Sequence, residues 1–152
     1  MFTEEFIFLD EPLPTNTEVL TYSFDQLSKL GYVKEDYLNS ILSREKEFPT
    51  GLMTHVGIHI AMPHTEAHLA EKEAIVFIRT KEPVFFQHMV DPDEEVETRL
   101  IFNIVIKDPK NQVIFLTKLM KLFQTEELLK QLLVETEKST IVNLLTNYMN
   151  ES

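Results

Sequence analysis

Leu100-Ile101-Phe102-Asn103-Ile104-Val105-Ile106 is apolar at every position but one, and Ala74-Ile75-Val76-Phe77-Ile78 is apolar throughout. Neither run alternates between apolar and polar, so neither reads as a strand with one wet face. Short, β-branched runs of this kind are strands covered on both sides. Two such strands at the centre of a sheet require apolar cover above and below it, and the sequence on either side of them supplies that cover as helices.

Towards the N-terminus, Phe6-Ile7-Phe8-Leu9 reads as a strand ended by Asp10-Glu11-Pro12. Thr15-Asn16-Thr17-Glu18 fits a capping box, Leu20, Phe24 and Leu27 follow at helical spacing, and Gly31 suits the helix end. Asp36 through Phe48 carries Leu38, Ile41 and Leu42 on one stripe, and Pro49 stops that helix because it cannot continue the hydrogen-bond ladder. Towards the C-terminus, Asp108-Pro109 opens a helix with Leu116, Leu119, Met120 and Phe123 on one face. Thr125-Glu126-Glu127 begins another, and Ile141, Leu144, Leu145 and Tyr148 mark a last one. In the middle, Val56 to Met62 reads as a strand with Ile58, Ile60 and Met62 on one side and Gly57, His59 and Ala61 on the other. Val84-Phe85-Phe86 reads as a shorter separate strand, and Asp91 to Glu97 as an acidic connector. These elements predict a three-layer α/β sandwich: a mixed central sheet of about five strands with helices on both faces. Residues 1–152 are expected to form a single domain.

Composition narrows the function classes. The chain has no cysteine, which removes disulfides and cysteine-ligated zinc or iron–sulfur centres. Its net charge of −11 opposes binding to a phosphate backbone, so nucleic acid is not an expected partner. No apolar run approaches the roughly 20 residues of a membrane span, and Met1-Phe2-Thr3-Glu4-Glu5 has no export-signal character. A cytoplasmic location without direct membrane insertion is expected.

Four of the five histidines fall at His55, His59, His64 and His68. A metal site must be weighed, but His55 and His59 share a ligating face only on a helix, and on a strand they stand roughly 13 Å apart. With no HExxH pattern, neither a metal nor a cofactor is expected. His64 differs from its neighbours because Pro63 ends the predicted strand and places it at a strand-to-loop exit. A neutral imidazole has a lone pair on one ring nitrogen and forms a reactive P–N bond, while the hydrogen bond of the other nitrogen fixes the tautomer.

Arg44-Glu45 before a helix stop, Phe48-Pro49-Thr50-Gly51, and a strand running from Gly57 to Pro63-His64 together resemble the enzyme IIA family of the bacterial sugar phosphotransferase system, in its fructose/mannitol type. The resemblance spans nearly the whole chain. It implies that His64 is phosphorylated on its tele (Nε2) nitrogen. It further implies that the donor is the histidine carrier protein HPr, and that the acceptor is a cysteine of an enzyme IIB feeding a membrane IIC component. The mannitol branch has a second histidine at the start of the helix after the long central strand; this chain has Asn111-Gln112 there. Gln112, with Glu47-Phe48-Pro49-Thr50-Gly51, looks like the galactitol-type branch, in which the site works with one histidine. On this reading Arg44 supplies a charge-assisted bond to the phosphoryl group, Thr50 a hydroxyl, and Gln112 an amide that steadies the ring or the oxygens. Transfer between two protein carriers requires in-line positioning and donors aimed at the phosphoryl oxygens, and no magnesium ion is demanded. The rival reading is a regulatory module of the same fold, phosphorylated on the same histidine and acting by binding other proteins. His59 stands where that family places a small residue, and His55, His68 and His88 read as surface or half-buried side chains.

Overall fold

The computed structural model describes residues 1–151. In chain order the main elements are β1 (Ile7–Glu11), α1 (Asn16–Ser28), α2 (Tyr37–Glu47), β2 (Gly51–Leu52), β3 (Ile60–Ala61), β4 (Ala74–Gln87), β5 (Glu95–Val105), α3 (Pro109–Leu122), α4 (Glu126–Val134) and α5 (Lys138–Glu151). The five strands form one mixed sheet in the order β1-β4-β5-β3-β2. β4 and β5 are an antiparallel pair at its centre, with β1 parallel to β4, β3 parallel to β5, and β2 antiparallel to β3.

The apolar runs become the central strands for the expected reason: their side chains alternate between two cores. Leu100, Phe102 and Ile104 pack with Phe77 against Leu119, Phe123, Leu132 and Leu145, on the α3/α4/α5 side. Ile101 and Val105 pack with Val76 and Ile78 against Leu20, Leu27 and Ile41, on the α1/α2 side. The three-layer sandwich is as predicted. The local capping signals hold in part, with the hydroxyl half of the Thr15–Glu18 box present. The Thr15 hydroxyl accepts from the Glu18 amide (3.2 Å), and the Asp108 carboxylate accepts from the Lys110 amide (2.9 Å). Gly31, at φ +75°, closes α1 with the Tyr32 amide donating back to the Leu27 carbonyl at 3.0 Å.

Three expectations about the middle of the chain need correction. Val56 to Met62 is not a continuous strand, since only Ile60 and Ala61 pair. The residues before them turn, with Gly57 at φ +84° and the Thr54 hydroxyl donating to the Ile58 carbonyl at 2.5 Å. Val84-Phe85-Phe86 is not a separate strand: β4 runs through it, resuming its register with β5 (Val84 opposite Thr98, Phe86 opposite Val96) after an irregularity that follows Arg79. The acidic connector is shorter than Asp91 to Glu97, because β5 begins at Glu95. Glu95 and Glu97 are exposed while Val96 and Thr98 are buried, the period-two pattern of a strand with one wet face.

Gly51 explains how the short edge strands attach to this hairpin. A Cβ there would lie 2.7 Å from the Gln87 carbonyl oxygen and 3.0 Å from the Val96 Cβ, and its carbonyl accepts from the Met89 amide at 2.8 Å. Gly51→Ala must therefore push backbone apart. It is expected to cost about 1–3 kcal/mol, read as a lowered denaturant midpoint at unchanged slope.

Candidate functional site

His64 leaves the sheet three residues after the end of β3, and its backbone is held from two directions. The Pro63 carbonyl accepts from the Ile104 amide (3.0 Å) and from the Asn103 side-chain amide (3.1 Å), both on β5. Asn103 is the single polar residue in the apolar run, and its side chain is fully paired: it also donates to the Tyr37 hydroxyl (2.9 Å) and accepts from Ser23 (2.6 Å). These groups are buried, so a missing partner would leave an unsatisfied polar atom; the network thereby ties α1, α2 and β5 to the peptide that carries His64. On the other side, the Met62 amide donates to the Thr50 carbonyl at 3.1 Å, extending the β2–β3 ladder by one residue.

The imidazole is half-buried, and its Nδ1 lies 2.8 Å from the Met62 carbonyl oxygen. A carbonyl oxygen only accepts, so Nδ1 carries the proton and Nε2 keeps its lone pair. Burial holds the ring's pKa below the ordinary histidine value. The nearby Arg44 charge acts in the same direction, and the Met62 bond acts against both. The neutral, nucleophilic form is thus favoured at pH 7.

Arg44 lies in the last turn of α2 with its guanidinium 5.3 Å from the centre of the exposed Phe48 ring. Its Nε is buried and donates to no atom among the described residues. A buried N–H without a partner costs free energy, and a cationic one marks a place prepared for an anionic acceptor. Arg44 lines a cleft of about 470 Å³ with Ser40, Ser43, Phe48, Thr65 and Glu66. Ser40 and Thr65 share a short hydrogen bond across it.

The other residues singled out in the sequence are close by but engaged differently. The Thr50 hydroxyl donates to Glu45 Oε1 (2.8 Å) and the Thr50 amide to Glu45 Oε2 (2.7 Å). Gln112, in the first turn of α3, donates its amide to the Thr65 carbonyl (3.1 Å), steadying the chain directly after His64. His59 does not join them. It lies at the opposite end of β3, its Nδ1 accepts from the Thr54 amide (3.1 Å), and it borders a separate cleft with Glu97, Thr98 and Arg99. His55 is exposed, His68 pairs with Glu66 on the surface (3.3 Å), and the Nδ1 of His88 accepts from the Val90 amide (3.0 Å). Sequence reasoning did not anticipate Ser23, Tyr37, Ser40, Thr65 or Asn103. Of these only Asn103 left a signal, as the polar interruption of a buried strand.

The model for the family described as phosphoenolpyruvate-dependent sugar phosphotransferase system, EIIA 2, matches residues 1–148. The galactitol-specific EIIA component of Escherichia coli K12 is 30% identical over 136 residues, which cover 90% of this chain and 89% of that protein. Among solved structures, the complex of enzyme IIA mannitol and phosphorylated enzyme IIB mannitol from Escherichia coli superposes with a TM-score of 0.74 at 27% identity, covering 100% of this chain and 99% of the matched one. The crystal structure of IIA mannitol from Escherichia coli superposes with a TM-score of 0.73 at 26% identity, covering 98% and 99%.

Proposed function

This chain belongs to the EIIA 2 family of the phosphoenolpyruvate-dependent sugar phosphotransferase system, and we propose that it works as a phosphocarrier in which His64 bears the phosphoryl group. Membership makes it a phosphotransferase component. The observation that supports His64 as its covalent centre is the pairing of a ring held with Nε2 unprotonated and a nearby arginine whose buried Nε has no partner among the described residues.

In this reading HPr is the donor. A P–N bond forms at His64 Nε2 as the P–N bond of phosphorylated HPr breaks. In the second half-reaction the P–Nε2 bond breaks as a P–S bond forms on a cysteine thiolate of an enzyme IIB. The histidine returns to its starting tautomer, because Nδ1 keeps its proton, donated to the Met62 carbonyl, throughout. Arg44 stabilises the charge that spreads over the equatorial oxygens of the transferring group, and Gln112 holds the Thr65 peptide beside it. Thr50 acts through the backbone, since its hydroxyl is already donated to Glu45. An enzyme IIB as acceptor accords with the neighbouring fold solved as a complex with phosphorylated enzyme IIB mannitol. The 30% identity to a galactitol-specific component favours a sugar or polyol system.

Incubation with phosphoenolpyruvate, enzyme I and HPr is expected to label the protein with one acid-labile phosphate that is absent from His64→Ala. That phosphate is expected to chase onto an enzyme IIB. Label that persists in the His64→Ala protein would overturn the assignment, and label that no enzyme IIB can accept would turn the reading towards a regulatory module.

A further inference from the structure

Glu45 follows Arg44 in the last turn of α2, so the two side chains diverge by about 100° around the helix. Arg44 faces the cleft. Glu45 turns beneath it and is buried at 8% exposure, and both of its oxygens accept from one residue, Thr50. Hydrogen bonds then run in series. The carboxylate of Glu45 holds the amide and hydroxyl of Thr50, the Thr50 carbonyl accepts from the Met62 amide (3.1 Å), and the Met62 carbonyl accepts from His64 Nδ1 (2.8 Å). The last member of the series is the bond that decides which ring nitrogen is free.

A buried carboxylate is an expensive way to end a helix. Burial pushes Glu45 up to about 7 despite its two bonds from Thr50 and the nearby Arg44 charge. Pro49 already stops α2, so the helix end alone does not call for it. What the carboxylate adds is two-point attachment: amide and hydroxyl are both gripped, which fixes the Thr50 peptide in rotation as well as in position. The next carbonyl in line is thereby aimed, and Met62 with it.

We propose that Glu45 is a positioning residue for phosphoryl transfer, setting the tautomer and heading of the His64 ring through Thr50 and Met62 so that Nε2 is the nitrogen presented. The proposal rests on His64 being the phosphoryl carrier. It divides the labour of the adjacent pair: Arg44 answers the charge of the phosphoryl group and Glu45 aims the atom that receives it. Neither Glu45 nor Thr50 touches the reacting atoms.

The test reads the ring directly, by long-range proton–nitrogen correlation of ¹⁵N-histidine-labelled protein without any phosphoryl donor, alongside phosphorylation kinetics with HPr. The wild-type His64 is expected to show a single tautomer protonated on Nδ1. Glu45→Gln, which keeps the shape but loses one acceptor, is expected to show both tautomers. Its kcat for phosphorylation is expected to be about 10-fold lower at unchanged KM for HPr. Thr50→Val retains the amide bond and is expected to give a smaller mixture and about a threefold loss. Folded variants with the wild-type tautomer overturn the proposal, as does a shifted tautomer with kcat within twofold of wild type. If Glu45→Gln does not fold, Thr50→Val decides by the same criteria. Failure of the carrier reading looks different: wild-type protein then takes no phosphate on His64, and the proposal falls with it.

Discussion

Arg44→Ala is expected to slow phosphoryl transfer to His64 by about 100-fold while leaving the protein about as stable as before. The two halves of this expectation have one cause. The Arg44 Nε is buried and unpaired among the described residues, so the native state bears a cost that a phosphoryl oxygen would relieve. Removing the side chain removes the cost along with the function. What stability it does supply comes from its charge beside the buried Glu45 carboxylate and from the guanidinium over Phe48, the latter worth about 0.5–1 kcal/mol at an exposed ring. The melting temperature should therefore move by no more than about 4 °C. Arg44→Lys should recover only part of the rate, because an ammonium supplies charge without the planar fork.

The same variant carries a pH signature. The Arg44 charge helps to hold the His64 pKa below its ordinary value, second to burial. Without it the pKa rises, and the ring becomes protonated, and so non-nucleophilic, at a higher pH. The acid limb of the pH–rate profile should shift upward in Arg44→Ala, and still lie below the unperturbed histidine value because burial persists. A profile whose acid limb does not move, or a loss of rate matched by a loss of stability, would show that Arg44 is a structural residue.

The layers of the fold were legible in the sequence because apolar periodicity reports burial, and burial in a two-sided sheet is nearly a property of the strand itself. Caps were legible for a similar reason: Thr15, Asp108 and Gly31 act on atoms within five residues of themselves. The segment before His64 was misread because alternation of Ile58, Ile60 and Met62 is compatible with a strand, and nothing local reveals that Gly57 takes φ +84°. Thr54 folds the loop back instead, and β5 supports only two paired residues of β3. The position of His64 did not depend on that error, since under either reading it follows Pro63, whose carbonyl is still held by the Ile104 amide of β5. Arg44, Thr50 and Gln112 were found through family resemblance. The structure then gave each of the latter two a bond that spacing could not reveal, Thr50 to Glu45 and Gln112 to the Thr65 backbone. Asn103 was visible only as an interruption, because its partners Ser23 and Tyr37 lie 80 and 66 residues away.

The sheet therefore has a polar cluster where β3 gives way to His64, and a second one farther back along β4 and β5, centred on Arg79. Arg79, at 2% exposure, is the largest fully buried side chain. Its guanidinium makes a two-point bond to Asp10 (2.9 and 3.1 Å) and donates to the Leu132 (2.9 Å) and Glu135 (2.7 Å) carbonyls at the end of α4. It closes β1 and the last turn of α4 onto β4. It also gives a use to the unusual backbone of Asp10, a non-glycine residue at φ +56°, whose carboxylate is shared with Arg99 (3.2 Å).

Arg79→Met keeps the volume and removes every one of those donors. Asp10 is 53% exposed and can return to water, so the pair itself is discounted. The two carbonyls at the end of α4 are the larger loss, because the helix end they belong to is packed on the sheet and each unsatisfied group costs about 1–3 kcal/mol. A destabilisation of about 3 kcal/mol is expected, seen as a fall in melting temperature of about 6–12 °C. The Asp10 pKa is lowered chiefly by its bond to Arg79, so this carboxylate contributes stability above its unfolded value of 3.8. That contribution fades as pH falls through the lower folded value, and Arg79→Met should accordingly lose its stability deficit in part under acid conditions. Arg79 pairs with Leu100, whereas the His64 peptide is held by Asn103 and Ile104, about 10–13 Å farther along β5. Measured below its melting range, the variant should transfer phosphate at the wild-type rate, the reverse of Arg44→Ala. A rate that fell with stability would mean that the two polar clusters of this sheet are coupled through β5, and that the aim of His64 depends on the whole strand and not on its last residues alone.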